Sequence, residues 1–149
     1  MGSLRAAALA VATAAACAAT IATAGTGTAD GAVAKSCGFE FVWSRPTVLP
    51  PQVIARGVAQ CTAPPEEHIA VLKLEFRPAG GVRWEVASAT TPNRTIPAPN
   101  ASYEVSGPCY AGSWRAAVEI WGTLQGTPFT FSDRSGQVDV PASKCAARG

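Results

Sequence analysis

The chain has 149 residues, a formal net charge of +2 and only 15% charged residues. It contains no basic stripe interleaved with aromatic residues, so its composition excludes the electrostatic footprint of a nucleic-acid-binding protein. Its length is that of a single domain, and such a domain can bury a hydrophobic core of its own.

The first 24 residues have the composition of a secretory signal peptide. A short basic region precedes an uncharged run rich in alanine, and a small residue stands at each position that signal peptidase reads when it cleaves after Ala24. We therefore expect a signal peptide at residues 1–24, a flexible leader at residues 25–36 and a folded domain at residues 37–149. A retained membrane anchor and a lipid anchor on Cys17 are the alternatives.

Cleavage of the signal peptide leaves an even set of cysteines, Cys37, Cys61, Cys109 and Cys145. An even number of cysteines in an exported chain predicts disulfide bonds, because the compartment outside the cytoplasm is oxidising. The set contains no close Cys-x-x-Cys pair, so we expect no metal site of the zinc type. Two disulfides are therefore expected, and the predicted strands decide how the cysteines pair.

The first predicted strand begins at Cys37, where aromatic residues alternate and place Trp43 on the core face. The proline-rich residues 45–51 interrupt regular structure, and strand character returns at residues 53–60. If these two runs form a hairpin, residues whose numbers sum to 98 face each other. Cys37 then lies opposite Cys61, and a disulfide between them needs no special movement of the backbone.

The pattern of residues 68–88 predicts a complete β-hairpin, which we call the organising hairpin. Apolar and charged residues alternate on both sides of a predicted turn at residues 78–81. Pairing Phe76 with Val82 sets acidic side chains against basic ones, so we expect this register and a core position for Trp84. The apolar row of this ribbon must be covered by a second sheet, which predicts a sandwich.

The rest of the chain also consists of predicted strands separated by turns and loops. Three prolines in residues 90–101 predict a long surface connection, and a short strand follows at Tyr103. A clear strand places Trp114 on the core face and turns Trp121 towards water. Its return at residues 129–140 brings Cys145 to Cys109. About seven strands without a helical segment predict an all-β, immunoglobulin-like antiparallel β-sandwich, with a closed small barrel as the alternative.

The sequence offers little for catalysis. The single imidazole, His68, stands beside Glu66 and Glu67 in a proline-rich stretch, where we expect a solvated loop. The sequence lacks a Gly-x-Ser-x-Gly elbow. Most carboxylates occupy strand positions whose side chains alternation turns to solvent. We therefore predict no catalytic residues, no enzyme activity and no cofactor.

Three aromatic residues form the predicted binding surface. Trp121 alternates in step with the charged residues of its strand, so a regular strand turns it to the same side as those residues. Tyr110 lies in the loop after Cys109, and Tyr103 belongs to a short strand. An exposed tryptophan with nearby tyrosines is typical of a sugar-stacking platform or of a hot spot for protein binding. We nevertheless favour the interpretation that a bulge at the end of the strand, or the loop at residues 90–101, buries Trp121.

The chain contains the blocks CTAPPEEH, before the organising hairpin, and GPCYAGSWRAAVEIWGTLQGTPFTF, near its end. With these blocks it resembles small exported proteins of unassigned function from high-GC Gram-positive bacteria. Residues 61–64, His68 and residues 109–112 are also similar to motifs of the subtilisin-inhibitor family. That family follows its histidine with proline, whereas Ile69 follows His68 here. The second resemblance implies that residues 109–112 form a protruding, substrate-like loop.

We expect a secreted, non-catalytic protein that binds an extracellular protein or glycan through its surface. Nucleic acid is not an expected partner, and membrane contact is expected only if Cys17 carries a lipid. An extracellular protease inhibitor, a carbohydrate-binding module and a small hydrolase are the alternatives. An inhibitor needs a protruding loop after Cys109, whereas a sugar-binding module needs Trp121 on an open face.

Overall fold

The computed structural model describes residues 36–148, so the predicted signal peptide, Cys17 and all of the leader except Ser36 lie outside the described residues. The described residues form strands and loops. None of them belongs to a helix that could cross a membrane. The strands are β1 (Cys37–Phe41), β2 (Thr47–Leu49), β3 (Gln52–Cys61), β4 (Glu67–Pro78), β5 (Glu85–Val86), β6 (Asn100–Pro108), β7 (Gly112–Leu124), β8 (Thr127–Arg134) and β9 (Val138–Val140).

The strands form two antiparallel sheets. In the four-stranded sheet β3 is central, β6 pairs with one of its edges, and β1 and β2 share the other. In the five-stranded sheet β4 and β7 are central, β5 flanks β4, and β8 and β9 share the far edge of β7. Because two pairs of short strands each share one edge, the nine strands occupy seven positions. The predicted all-β sandwich of about seven strands is confirmed.

Both predicted disulfides are confirmed. The register of β1 with β3 places Cys37 directly opposite Cys61, and their Cα atoms are 4.1 Å apart. The second bridge joins Cys109, before β7, to Cys145, after β9, with a Cα separation of 5.6 Å. The proline-interrupted hairpin and the returning last strand therefore bring the cysteines together as the sequence indicates.

The core fills the space between the two sheets. β3 and β6 contribute small residues and one tyrosine, whereas β4 and β7 contribute the large side chains. Leu74, Phe76 and Trp114 have no exposed surface, and the ring centroids of Phe76 and Trp114 are 4.9 Å apart. The indole N–H of Trp114 donates a hydrogen bond of 2.9 Å to the carbonyl of Tyr110, which satisfies its polar atom inside the core.

The predicted register of the organising hairpin is wrong. The turn forms, since the N–H of Gly81 donates to the carbonyl of Pro78, but β5 has only two residues and pairs Glu75 with Val86. The pairing is shifted by an odd number of residues from the prediction, so the side chains of the return segment change face. Val82 is 87% exposed instead of lying opposite Phe76.

The physical reason is that other groups use this edge of β4. The N–H of Ala87 donates to the carbonyl of Leu74, and the N–H of Leu74 donates to the hydroxyl of Ser88. Further along, Ala70 and Asn93 exchange both of their backbone hydrogen bonds. The connection that follows β5 therefore supplies hydrogen-bond partners for the backbone groups at this edge of β4. A long return strand is not needed to pair them.

Trp43 also departs from its predicted core position. β1 ends at Phe41, and the chain bends through the next residues, so the alternation no longer applies at Trp43. Its side chain is 40% exposed, and the guanidinium of Arg56 lies 5.5 Å from its ring centroid. Trp43 is therefore a surface residue.

Reducing the disulfides should strongly destabilise this domain. The bridges close chain segments with sequence separations of 24 and 36 residues. Loops of that length correspond to about 3.5 to 4 kcal/mol of unfolding free energy for each bridge. We expect thermal unfolding, followed by circular dichroism, to shift to clearly lower temperature in dithiothreitol. An unchanged melting temperature with both bridges verified as reduced would contradict this prediction.

Candidate functional site

The three residues of the predicted binding surface do not lie together. Trp121 projects from the outer face of the five-stranded sheet and is 38% exposed, so the favoured expectation that a bulge or the loop at residues 90–101 buries it is wrong. Tyr103 is buried between the sheets, because the alternation of β6 turns it inwards. The ring of Tyr110 is half-buried against Phe76 and Trp114, with centroid distances of 5.8 and 6.4 Å. The predicted grouping is therefore wrong for both tyrosines.

The outer face of the five-stranded sheet instead carries an ordered array of polar and aromatic side chains, together with the buried apolar residues Ile69, Val71 and Ala117. The β4–β7 register, extended by β8 and β9, places these side chains in rows across the strands. From one end of the face to the other the rows are Ile69–Trp121–Thr130, Val71–Glu119–Ser132, Lys73–Ala117–Arg134, Glu75–Arg115 and Arg77–Ser113–Asp139.

Ion pairs connect these rows. Glu75 is only 8% exposed, and its carboxylate lies 2.6 Å from Nε of Arg115 and 3.8 Å from Nε of Arg134. Nearby, Nζ of Lys73 donates to Glu119 over 2.7 Å. A largely buried carboxylate is tolerated when it is paired with cations and hydrogen-bonded. These contacts fix the side chains at the centre of the face.

Trp84 lies on this face instead of in the core. The guanidinium groups of Arg115 and Arg77 are 4.2 and 4.7 Å from its ring centroid. Both arginines project from the sheet, so the indole rests on guanidinium groups that the sheet supplies. Cation–π contact of this kind holds an aromatic ring in one orientation. Trp84 is therefore a positioned, partly exposed aromatic surface.

A cleft of about 530 Å³ lies at the same end of the face, and Arg77, which contacts the ring of Trp84, is one of its lining residues. We call it the polar cleft, and its polar lining consists of Arg77, Ser113, Gln137 and Asp139. The hydroxyl of Ser113 donates to Oδ1 of Asp139 over 2.6 Å, and Nε2 of Gln137 donates to the same oxygen over 3.3 Å. Nη2 of Arg77 reaches the hydroxyl of Ser113 at 3.5 Å. Donors and an anionic acceptor therefore converge in one concave site.

Sequence reasoning missed the polar cleft, although one signal for it was present. Arg77, Ser113 and Asp139 each have the outward parity of their strand in the sequence. Parity shows that such residues face solvent, but it cannot show which strands are neighbours. Only the pairing of β7 with both β4 and β9 brings the three residues into one row.

His68 is not the solvated loop residue that the sequence predicted. β4 begins at Glu67, so His68 lies within the strand and points between the sheets with only 1% of its surface exposed. Its Nδ1 lies 3.2 Å from the hydroxyl of Tyr103, and its Nε2 has no hydrogen-bond partner among residues 36–148. Burial lowers the pKa of His68, and the nearby carbonyl of Thr95 opposes this only in part. Burial likewise raises the pKa of Tyr103.

The described residues therefore do not assemble a reaction centre around this imidazole. A triad needs a serine or cysteine and a carboxylate on the two ring nitrogens, and His68 has a tyrosine on one and no partner on the other within that part of the chain. Across residues 36–148 no group of three or more His, Cys, Asp and Glu side chains is arranged to hold a metal ion.

The loop after Cys109 is packed against the domain. Cys109 is buried, and the N–H of Ala111 donates to the carbonyl of Ala146 over 2.9 Å. Gly112 is already the first residue of β7. The segment at residues 109–112 thus has little of the protruding, extended shape that binds a protease active site.

Comparison of the chain with protein-family models, with curated proteins and with solved structures finds no match. The assignment of a function therefore depends on the geometry of the described residues.

Burial of His68 predicts acid-sensitive stability. The unfolded chain binds a proton near the ordinary histidine pKa of 6.5, whereas the folded state binds it only at lower pH. This contribution to stability is fully present above pH 6.5 and is lost as the pH falls from there towards the folded-state pKa. Over that interval the free energy of unfolding should fall by up to about 1.4 kcal/mol per pH unit.

Urea unfolding of the wild type and of His68→Gln at a series of pH values measures this effect. His68 is the single histidine of the chain, so the difference between the two pH profiles isolates it. We expect the variant to lose the slope just below pH 6.5, whatever its absolute stability. Parallel profiles for the two proteins would contradict the prediction.

Proposed function

We propose that this protein is a secreted, non-catalytic β-sandwich protein that binds an extracellular or envelope partner through the outer face of its five-stranded sheet. The observation that carries the proposal is that Trp84 and Trp121 share this face, with ion-paired residues between them. Tryptophan and arginine are enriched among residues that dominate binding energy. Side chains held by ion pairs and cation–π contacts also lose little entropy on binding.

Export is supported by the two disulfides, which are typical of extracellular proteins. The predicted signal peptide at residues 1–24 supports the same location. We propose free secretion after cleavage at Ala24, with an envelope lipoprotein anchored through Cys17 as the alternative.

The strand order supports an immunoglobulin-like sandwich as the finer description of the fold. Three strand positions in one sheet, with β3 in the middle, face four in the other, where β4 and β7 are central. Immunoglobulin-type sandwiches likewise place their first, second and fifth strands in one sheet and their third and sixth in the other. Counted by position, β3, β4, β6 and β7 correspond to the second, third, fifth and sixth of these strands.

The same geometry ranks the alternatives. A carbohydrate-binding module is favoured as the second candidate because both tryptophans of this face offer aromatic surface to a sugar ring. A protease inhibitor is disfavoured because residues 109–112 are packed. A hydrolase that uses His68 is disfavoured because the imidazole is buried next to Tyr103.

The proposal predicts that Trp121→Ala weakens binding to the partner. A tryptophan that anchors an interface contributes about 2 kcal/mol or more, so we expect a loss of affinity of roughly 30-fold. The measurement is co-sedimentation of fluorescently labelled protein with cell-envelope preparations of the producing cells, together with capture on immobilised extracellular proteins from the same culture.

Trp43→Ala is the matched control. Trp43 is 40% exposed, close to the 38% of Trp121, but its ring contacts Arg56 of β3, in the four-stranded sheet. We expect this variant to bind like the wild type. Equal losses in the two variants, or no binding by the wild type to either preparation, would refute the proposal.

A further inference from the structure

We infer that the outer face of the five-stranded sheet binds a linear, neutral polysaccharide, with one sugar ring in the polar cleft beside Trp84. This inference rests on the proposed function and deepens it by naming the ligand class. It also relocates the sugar site from Tyr103 and Tyr110, which the structure places elsewhere, to residues that come together only in the folded sheet.

The lining of the polar cleft matches the hydrogen-bonding chemistry of a sugar. Adjacent hydroxyl groups of a pyranose donate and accept hydrogen bonds in pairs, and a carboxylate beside amide and guanidinium donors satisfies both roles. Asp139 supplies the acceptor, Arg77 and Gln137 supply donors, and the hydroxyl of Ser113 does either. Ser113 and Gln137 donate to Asp139, and Arg77 donates to Ser113, so the four groups are already oriented towards a shared point.

Trp84 adds the apolar half of the site. A pyranose presents one face of C–H bonds, which carry slight positive charge and pack against the negative face of an aromatic ring. Arg77 connects the two halves, because its guanidinium lies 4.7 Å from the Trp84 ring and its side chain also lines the cleft. Arg77 therefore joins the Trp84 ring to the polar lining of the cleft.

The charge of the cleft selects among sugars. Its polar lining holds one cation, Arg77, and one anion, Asp139, so its formal charge is zero. Asp139 would repel the sulfate or carboxylate groups of an acidic glycan at short range. An anion-binding site would need an excess of arginine or lysine that this cleft lacks. A neutral sugar satisfies the lining without an unpaired charge.

The length of the face indicates a chain of sugars instead of a single one. Ser113 and Trp121 lie on the same face of β7 and are eight residues apart, which corresponds to about 27 Å along a strand. An aromatic surface therefore stands at each end of the face, Trp84 beside the cleft and Trp121 beyond the ion pairs. Binding by a long ligand adds the contacts of both ends.

The test is a glycan array followed by calorimetry with the exported protein. The array holds hexasaccharides of β-1,4-linked glucose, N-acetylglucosamine, xylose and mannose, their monosaccharides, and two acidic polymers, heparin and polygalacturonate. We expect binding to at least one neutral hexasaccharide and none to its monosaccharide or to the acidic polymers. Trp84→Ala and Asp139→Ala should each weaken that binding by about 10-fold to 100-fold, since each removes a specific contact.

Trp43→Ala and Glu40→Ala are the matched controls, and both should bind unchanged. The ring of Trp43 contacts Arg56 of the four-stranded sheet, and Glu40 is an exposed carboxylate of β1 in the same sheet. Asp139 is exposed, so its variant tests the inference even if Trp84→Ala is unstable. A silent array, binding to acidic polymers only, or unchanged binding by Asp139→Ala would overturn the inference. A silent array together with Trp121-dependent binding to a protein would overturn it and leave the proposed function standing.

Discussion

The antiparallel pairing of β4 with β7 is the constraint on which the rest of the structure depends. It runs through twelve residue pairs, from Glu67 with Thr123 to Pro78 with Gly112. Because neighbouring residues of a strand face opposite ways, one register fixes both the core row and the outer rows of charged and aromatic residues. A slip of one residue would bury arginines and expose Phe76 and Trp114. The core and the candidate site are therefore two sides of the same pairing, and neither can change register without the other.

The parts of the fold that could be predicted are those that local pattern decides. The proline-interrupted hairpin fixes the facing of Cys37 and Cys61, and the alternation around Trp114 identifies β7 without reference to any other strand. The predicted register of the organising hairpin is wrong because the local sequence pattern fits a pairing that the folded chain does not use. The segment that follows it satisfies the edge of β4, so the return strand shortens and Trp84 moves to the outer face. His68 was misplaced because the strand begins closer to Pro65 than expected.

The candidate site could be predicted only in part. Strand alternation alone turns Trp121 towards solvent, where it lies, and the favoured expectation of a bulge or a covering loop is wrong. The polar cleft, by contrast, combines residues whose hydrogen-bonding partners are 36 and 26 positions away in the sequence. Strand neighbours across a sheet leave no local signature in the sequence, so alternation alone cannot identify such a cluster. The same holds for Glu75, where parity indicates a wet face but the structure shows a nearly buried carboxylate between two arginines.

The four tryptophans of the chain offer the most direct test of the account. Trp84 and Trp121 lie on the proposed binding face, Trp43 contacts Arg56 of the four-stranded sheet, and Trp114 is in the core. Their indole N–H groups give separate signals in a proton–nitrogen NMR spectrum. These signals can be followed while increasing amounts of a glycan or protein partner are added to the labelled protein. We predict that the signals of Trp84 and Trp121 move and that those of Trp43 and Trp114 stay in place. Movement of the Trp43 signal with Trp84 and Trp121 unchanged would contradict it.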